Sequence, residues 1–274
     1  MSTPRPTSNH AAAEHEKELR SRVHRSEIRL IPIAIVGEIK SKDSLAEKLL
    51  ESMAEHHTAF ESGDILVVKH KVVSKAEGRL VDLATVKPSA ASVAWAKKYQ
   101  LNARVIELAL RESRTVIRRK NGVFITETRH GFICANSGID VSNVDGGRHA
   151  LLLPADPDRS ARELHREIKK RTALSIPVLI TDSFGRPWRE GLVDFCIGIA
   201  GMKALRDDRG RRDPHGYKLQ ASLEAVADEL ACAAALVCGK LNRTPACLIR
   251  GFRYESVRGR TRDLLRPAAS DLFR

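Results

Sequence analysis

What most constrains this 274-residue chain is the irregular order in which short apolar runs and helical patterns follow one another. The stretch 28–36, "IRLIPIAIV", reads as a strand, and "GDILVVK" (63–69) as a turn followed by a buried strand. "SIPVLITD" (175–182), "LVDFCIGIAG" (192–201) and Thr244 to Arg250 read the same way, and "TVIRRKNGVFITETRHGFICAN" (115–136) as consecutive strands joined at Asn121-Gly122. Between them lie helices. "SLAEKLLESMAE" (44–55) sets Leu45, Leu49, Leu50 and Met53 on one face, and "VVSKAEGR" (72–79) is a short helix ending at Gly78. Further helices are expected from Ser89 to about Gln100, from Asn102 to about Arg111, and over 158–173 with an Asp or Ser cap. A last, longer one carries the stripe Leu219, Leu223, Val226, Leu230, Ala233 and Val237. There is no regular strand–helix–strand rhythm, so the fold class is α+β rather than a doubly wound sheet.

Residues 1–27 are polar and read as a tail; 28–250 read as the main folded domain, in two lobes with a boundary near 150–175, and 251–274 as a segment packing on it. Aromatic residues make up only 4%, so the core must be Leu, Val, Ile and Ala. The net charge of +13 asks for an anionic partner. It is spread over clusters at 203–218 and in the C-terminal 24 residues, both mixed with Asp, and no aromatic platform for stacked bases accompanies it. That favours a small phosphate-rich ligand over nucleic acid. The five cysteines (134, 196, 232, 238, 247) form no CxxC pair and mostly sit in apolar runs, which reads as buried thiols in a reducing compartment. The longest apolar run, Leu30 to Val36, is too short to span a bilayer, so the expected location is the cytoplasm.

The common nucleotide and hydrolase signatures GxxxxGK[ST], GxGxxG, HExxH and GxSxG are missing. What remains is a pair of carboxylate loops. Asp140 lies in "NSGIDVSN" and Asp182 in "LITDSFG", each after an apolar stretch and before Ser and a turn. Taken singly, each is an ordinary turn residue or an oxygen ligand for a hard divalent cation; taken together, they suit a cation that also holds phosphate. Arg186 and Arg189 follow Asp182 closely, either as phosphate forks or as a solvated surface pair. Lys75 stands on the short helix after a buried strand, as a phosphate neutraliser or a surface partner of Glu77. Glu224 and Asp228 are four apart on the expected last helix, with Glu229 beside them, either a solvated acidic face or a second metal site.

The segments "VVSKAEGR", "NSGIDVSNVDGG", "LLLPADPD", "VLITDSFGRPWREG", "GIAGMKAL", "VADELA" and "RPAASDLFR" occur in this order over nearly all of the chain from Ile28. In that sequence of motifs the chain resembles the coenzyme F420-0:L-glutamate ligase (γ-glutamyl ligase) family. The resemblance implies a two-lobed mixed-sheet fold forming an intertwined homodimer. It implies a reaction that joins L-glutamate to the lactyl carboxylate of the deazaflavin F420-0 with GTP and a divalent cation, Mg²⁺ or Mn²⁺, and K⁺ as a candidate further ion. By position, Asp140, Asp182 and Ser183 match metal ligands. Val36-Gly37-Glu38-Ile39, His70-Lys71, Lys75 and Asn143 match nucleotide contacts, and Lys75 and Arg186 are the candidates for neutralising charge during catalysis. The chain departs from the family at His70-Lys71, where a small Ser-Thr pair is usual, at Val36–Ile39, which stands for Leu-Pro-Leu-Ile, and over Cys238–Asn242, where relatives vary. Two further readings are a related ligase for another anionic carboxylate and a non-catalytic binder of deazaflavin or nucleotide.

Overall fold

In the computed structural model, residues 27–141 and 145–272 are described. The centre is a five-stranded mixed sheet whose strands lie in the order β1 (Arg29–Ile33), β12 (Ala246–Arg250), β2 (Ile65–Lys69), β8 (Val178–Arg186) and β9 (Arg189–Ala200). Only the β2–β8 pair is parallel. The apolar runs are nearly continuous because helices cover both faces of this sheet. Leu66, Val68, Val178, Ile180 and Leu248 face α1 (Leu45–Glu55) and α5 (Pro157–Thr172), meeting Leu49, Met53, Leu164 and Ile168. Ile65, Val67, Leu179, Cys247 and Ile249 face α6 (Val226–Cys238), meeting Val226, Leu230 and Ala234.

Between β2 and β8 the chain leaves the sheet. It forms α2 (His70–Ala76), β3 (Leu80–Asp82), α3 (Ala90–Tyr99), α4 (Ala103–Glu112), β4 (Ser113–Lys120), β5 (Val123–Thr128), β6 (Ile133–Ala135) and β7 (His149–Leu151). Strands β4, β5 and β6 make a three-stranded sheet; its first turn has Asn121 and Gly122 at φ 49° and 79°, the left-handed pair a two-residue hairpin needs. Small cores hold this layer together, one around Ala96, Ile106 and Phe124 with Trp95 edge-on to Phe124 at 4.8 Å. Arg79 ties it to the chain leading to α5, donating to the Leu153 carbonyl and to Glu112, both at 3.0 Å.

Two expectations about helices change. The cap of α5 is Asp156, which accepts from the Arg159 amide at 2.9 Å and is followed by Pro157. Asp158 is thereby left free to accept from the amides of Ile199 at 2.9 Å and Thr261 at 3.1 Å, binding the C-terminal segment to the sheet. The last helix starts only at Val226. Leu223–Glu224 is a strand, β11, paired with β10 (Arg206–Asp207) and reinforced by the Arg206–Glu224 ion pair. The apolar spacing through Leu219 and Leu223 therefore does not describe a helix face. The buried stripe is Val226, Ala227, Leu230, Ala231, Ala234 and Cys238. No helix among the described residues is long and apolar enough to cross a membrane.

The approach of α5 to β9 depends on Gly198, where a Cβ would stand 2.4 Å from the Pro157 carbonyl oxygen. Gly198→Ala must push the first turn of α5 off the sheet, and we expect it to lower unfolding stability by about 1–3 kcal/mol. Gly185→Ala, whose Cβ meets nothing closer than 3.9 Å, is the control and should cost far less. Urea denaturation of the two variants makes the comparison.

Candidate functional site

The parallel register of β2 and β8 sets Lys69 beside Thr181, so the carboxyl ends of both strands open at one place. In mixed and parallel sheets this is where ligands are bound. Directly after Lys69 the chain turns into α2, which carries His70, Lys71 and Lys75. The strand β8 does not end at Asp182 as its composition suggested. It runs on to Arg186 because β9 continues to pair with it, Asp182 facing Phe195 and Ser183 facing Asp194, with Phe184 and Phe195 stacked at 5.6 Å. A register shift between Ile180 and Thr181 re-aims the side chains at this point.

Here a cavity of about 730 Å³ opens. Gly37, Glu38 and Ile39 contribute one wall from the loop after β1; Lys69, His70, Lys71 and Lys75 form another. Thr181, Asp182 and Ser183 enter from β8, and Asp140 lines the same space. Lys240, Arg243 and Thr244 come from the loop between α6 and β12. The two carboxylate loops, 42 residues apart in the chain, thus share one cavity. Asp140 is fixed by a reciprocal backbone bridge to Leu151, 3.1 and 2.8 Å. The preceding Asn136, Ser137 and Gly138 all have positive φ, a strained path. It is held by the buried Ser137 hydroxyl, which donates to the Ala109 carbonyl at 2.7 Å and meets Thr126 Oγ1 at 2.9 Å.

Each carboxylate faces a side-chain nitrogen from α2. Lys71 Nζ is 2.5 Å from Asp140 Oδ2, and His70 Nε2 is 3.2 Å from Asp182 Oδ1, off the line of a ring N–H bond. His70 is only 1% exposed, and its Nδ1 lies 3.3 Å from Ser74 Oγ. Lys75 reaches Glu38 at 3.5 Å. Beneath them lies a residue the sequence reading missed. Asp194, 4% exposed, forms an ion pair with Lys69 and accepts from Ser183 Oγ at 2.6 Å and Thr181 Oγ1 at 3.2 Å. The signal was present: a lone carboxylate interrupts the apolar run Leu192-Val193-Asp194-Phe195, a place where a charge persists only if paired. Burial and the nearby Asp182 charge together push the Cys134 thiol up to about 12, so it stays protonated beside the site.

Several expected members are elsewhere. Arg186 lies at the hairpin tip, donates to the Gly191 carbonyl at 3.2 Å and is not among the residues lining the cavity. The hairpin carries it away because β8 continues past Asp182. Val36, 66% exposed, is likewise outside the cavity lining. Asn143 lies outside the described residues. Glu224 and Asp228 share no helix face: Glu224 is on β11, whereas Asp228 accepts from the Cys196 amide at 2.9 Å with its carboxyl pushed up by burial. The second metal site they suggested does not form.

Among the described residues no three His, Cys, Asp or Glu side chains gather closely enough to cage a metal. Asp140, Asp182 and Ser183 nevertheless offer oxygen only, and Ser183 gives its proton to Asp194, leaving its lone pairs open. Such a set fits a cation that brings phosphate oxygens with it, as Mg²⁺ characteristically does. Lys71 would have to leave Asp140.

A cavity lined by lysines, an arginine and oxygen donors at the strand ends of a mixed α+β sheet is a setting suited to anionic ligands. Residues 34–251 match the F420-0:Gamma-glutamyl ligase family, and the chain belongs to that family, which is one of ligases. It is 40% identical over 253 residues to the coenzyme F420:L-glutamate ligase of Methanopyrus kandleri, covering 90% of this chain and 98% of that protein. It is also 40% identical over 250 residues to the enzyme of the same name from Methanothermobacter thermautotrophicus, with 90% and 99% covered.

The Lys69–Asp194 pair should be structural as well as functional. Asp194→Ala leaves a mostly buried ammonium unpaired and is expected to cost about 3 kcal/mol in urea denaturation. Combining it with Lys69→Met should recover part of that loss, the sign of a coupled pair.

Proposed function

We propose that this protein joins L-glutamate to the lactyl carboxylate of F420-0, driven by GTP and a divalent cation, with an acyl phosphate between the two half-reactions. The observation that carries the reading is the convergence of Asp140 and Asp182, on separate segments, in one cavity lined by Lys71 and Lys75. Family membership over residues 34–251 and the names of the relatives support the choice of substrates.

The chemistry follows from a weakness of carboxylates. Their carbon is a poor electrophile because oxide is a poor leaving group. In the first step a lactyl carboxylate oxygen bonds to the γ-phosphorus of GTP, and the bond to GDP breaks. In the second the neutral amine of glutamate bonds to the acyl carbon, inorganic phosphate leaves with the C–O electron pair, and the nitrogen loses a proton. Both steps rely on positioning and on neutralising anionic oxygens. A cation held by Asp140, Asp182 and Ser183 would supply Lewis-acid neutralisation of the phosphates. Lys71 and Lys75 sit on α2 within the same cavity, and their ammonium groups are placed to meet the phosphates. Lys71, once released from Asp140, changes from internal counter-ion to phosphate contact. Asp194 holds Ser183 and Lys69 in place throughout. Arg186, expected beside the phosphates, instead donates to the Gly191 carbonyl at the hairpin tip, so this reading does not draw on it.

The test is mass spectrometry of F420-0 after incubation with glutamate, Mn²⁺ and either GTP or ATP. The expected product is one or more glutamyl additions with GTP and far fewer with ATP. Asp182→Asn should keep its fold by circular dichroism and lose at least about a hundredfold in turnover, as expected when a charge-neutralising group is removed. No mass increase in the native protein, or normal turnover by a folded Asp182→Asn, would reject the reading.

A further inference from the structure

The cavity does not account for the net charge of +13. A separate group of cations stands on the C-terminal segment. There Arg253, Arg258, Arg260, Arg262 and Arg266 are all exposed, and none of them lines the cavity. Arg260 meets Asp263 at 3.3 Å; the other four have no ion pair among the described residues. The only other carboxylate over 251–266, Glu255, is already engaged by Lys203.

The backbone beneath them is pinned. Gly259 is buried so close to the Met202 carbonyl that no Cβ fits there. Thr261, 6% exposed, gives its amide to Asp158 at 3.1 Å and its hydroxyl to the same carboxylate at 3.0 Å. Leu264 packs into the core on the α6 side of the sheet, and Leu265 into the core on the α5 side. The chain is extended as it reaches Thr261, with Arg260 at φ −146° and ψ 138°, and then makes one 3-10 turn, Thr261–Leu264. Exposed and buried residues alternate: Arg258, Arg260 and Arg262 outward, Gly259 and Thr261 inward. Alternate residues of an extended chain share a side at a repeat of about 7 Å. The three arginines therefore form a row on backbone that is already ordered, so a ligand meets little loop entropy cost there.

The chemistry of the row selects its ligand. Guanidinium forks take carboxylates or phosphates in two-point contact. Nucleic-acid bases need flat side chains to stack on, and the segment's aromatics, Phe252 and Tyr254, are packed against the core on the α6 side. An extended peptide carries alternate side chains at the same repeat of about 7 Å, so acidic residues at every second position meet the arginines one to one. We propose that Arg258, Arg260 and Arg262 form a docking surface for an extended acidic segment of another protein. The surface is apart from the cavity and does not depend on the reaction carried out there.

Fluorescence anisotropy of the full chain with a labelled dodecapeptide of alternating Glu and Ser tests this. The native protein should bind the peptide saturably. Replacing Arg258, Arg260 and Arg262 together by Ser should weaken binding about tenfold, the size of three lost exposed ion pairs. The control removes the same charge elsewhere, with Ser at the exposed Arg118, Arg119 and Lys120 of β4, and should change binding by no more than about twofold. Thermal midpoints establish that both variants fold. If the triple variant does not, Arg258→Ser alone, which breaks no ion pair, should still weaken binding about twofold. Glutamate ligation, followed by mass, should be the same in the native protein and the row variant. Absence of saturable binding, or an equal loss in the β4 control, would overturn the docking surface. So would a single-stranded RNA of the same length that binds more tightly and is lost in the row variant, since the row would then read phosphates.

Discussion

The parallel ladder between β2 and β8 is the constraint on which the rest of the molecule depends. A parallel pair cannot be closed by a tight turn, so the chain must travel from the end of β2 to the start of β8 by a long route. That route carries α2, the small three-stranded layer and α5, and it returns with Asp140 on its way. Because both strands end at the same edge, with Lys69 beside Thr181, the cations of α2 and the hydroxyls and carboxylate of β8 meet without any special device. The covered faces of the sheet make that meeting rigid, since Leu66, Val68 and Ile180 are locked on one side and Ile65, Val67 and Leu179 on the other.

Charge is organised in the same place in two layers. The deeper layer, Lys69 with Asp194, is largely shut off from water and serves to orient Ser183 and Thr181. The outer layer, Lys71 with Asp140 and Lys75 with Glu38, is partly open and can be exchanged for ligand. Ion pairs of the first kind hold geometry because breaking them strands a buried charge; those of the second kind are weak enough to give way. A site assembled so keeps its shape while its outer charges change partners, as the proposed reaction, passing through several anionic species, would require.

Much of this was legible in the residues. The strand runs were read correctly because a sheet covered on both faces demands continuous apolar character. The Asn121-Gly122 hairpin and the Ser44, Ser89 and Asn102 caps were legible because their chemistry is local. Asp140, Asp182, Ser183, His70, Lys71 and Lys75, which the family resemblance grouped together, line one cavity. What was misread depended on distant partners. Nothing near Leu219 and Leu223 announces that Arg206 and Asp207 will pair with the latter as a strand instead of allowing an early helix start. Nor does "TDSFGRPWRE" reveal that β9 will extend β8 past Asp182 and carry Arg186 off to the tip. Asp194 escaped notice because the lysine that balances its charge, Lys69, is 125 residues away.

The central claim is that Asp140 and Asp182 hold one cation against a nucleoside triphosphate in the cavity at the ends of β2 and β8. Anomalous X-ray scattering from crystals grown with Mn²⁺ and a non-hydrolysable GTP analogue measures this directly. A manganese peak within coordination distance of both carboxylates and of the γ-phosphate oxygens is the predicted result. A triphosphate bound elsewhere, or manganese remote from both side chains, would contradict it.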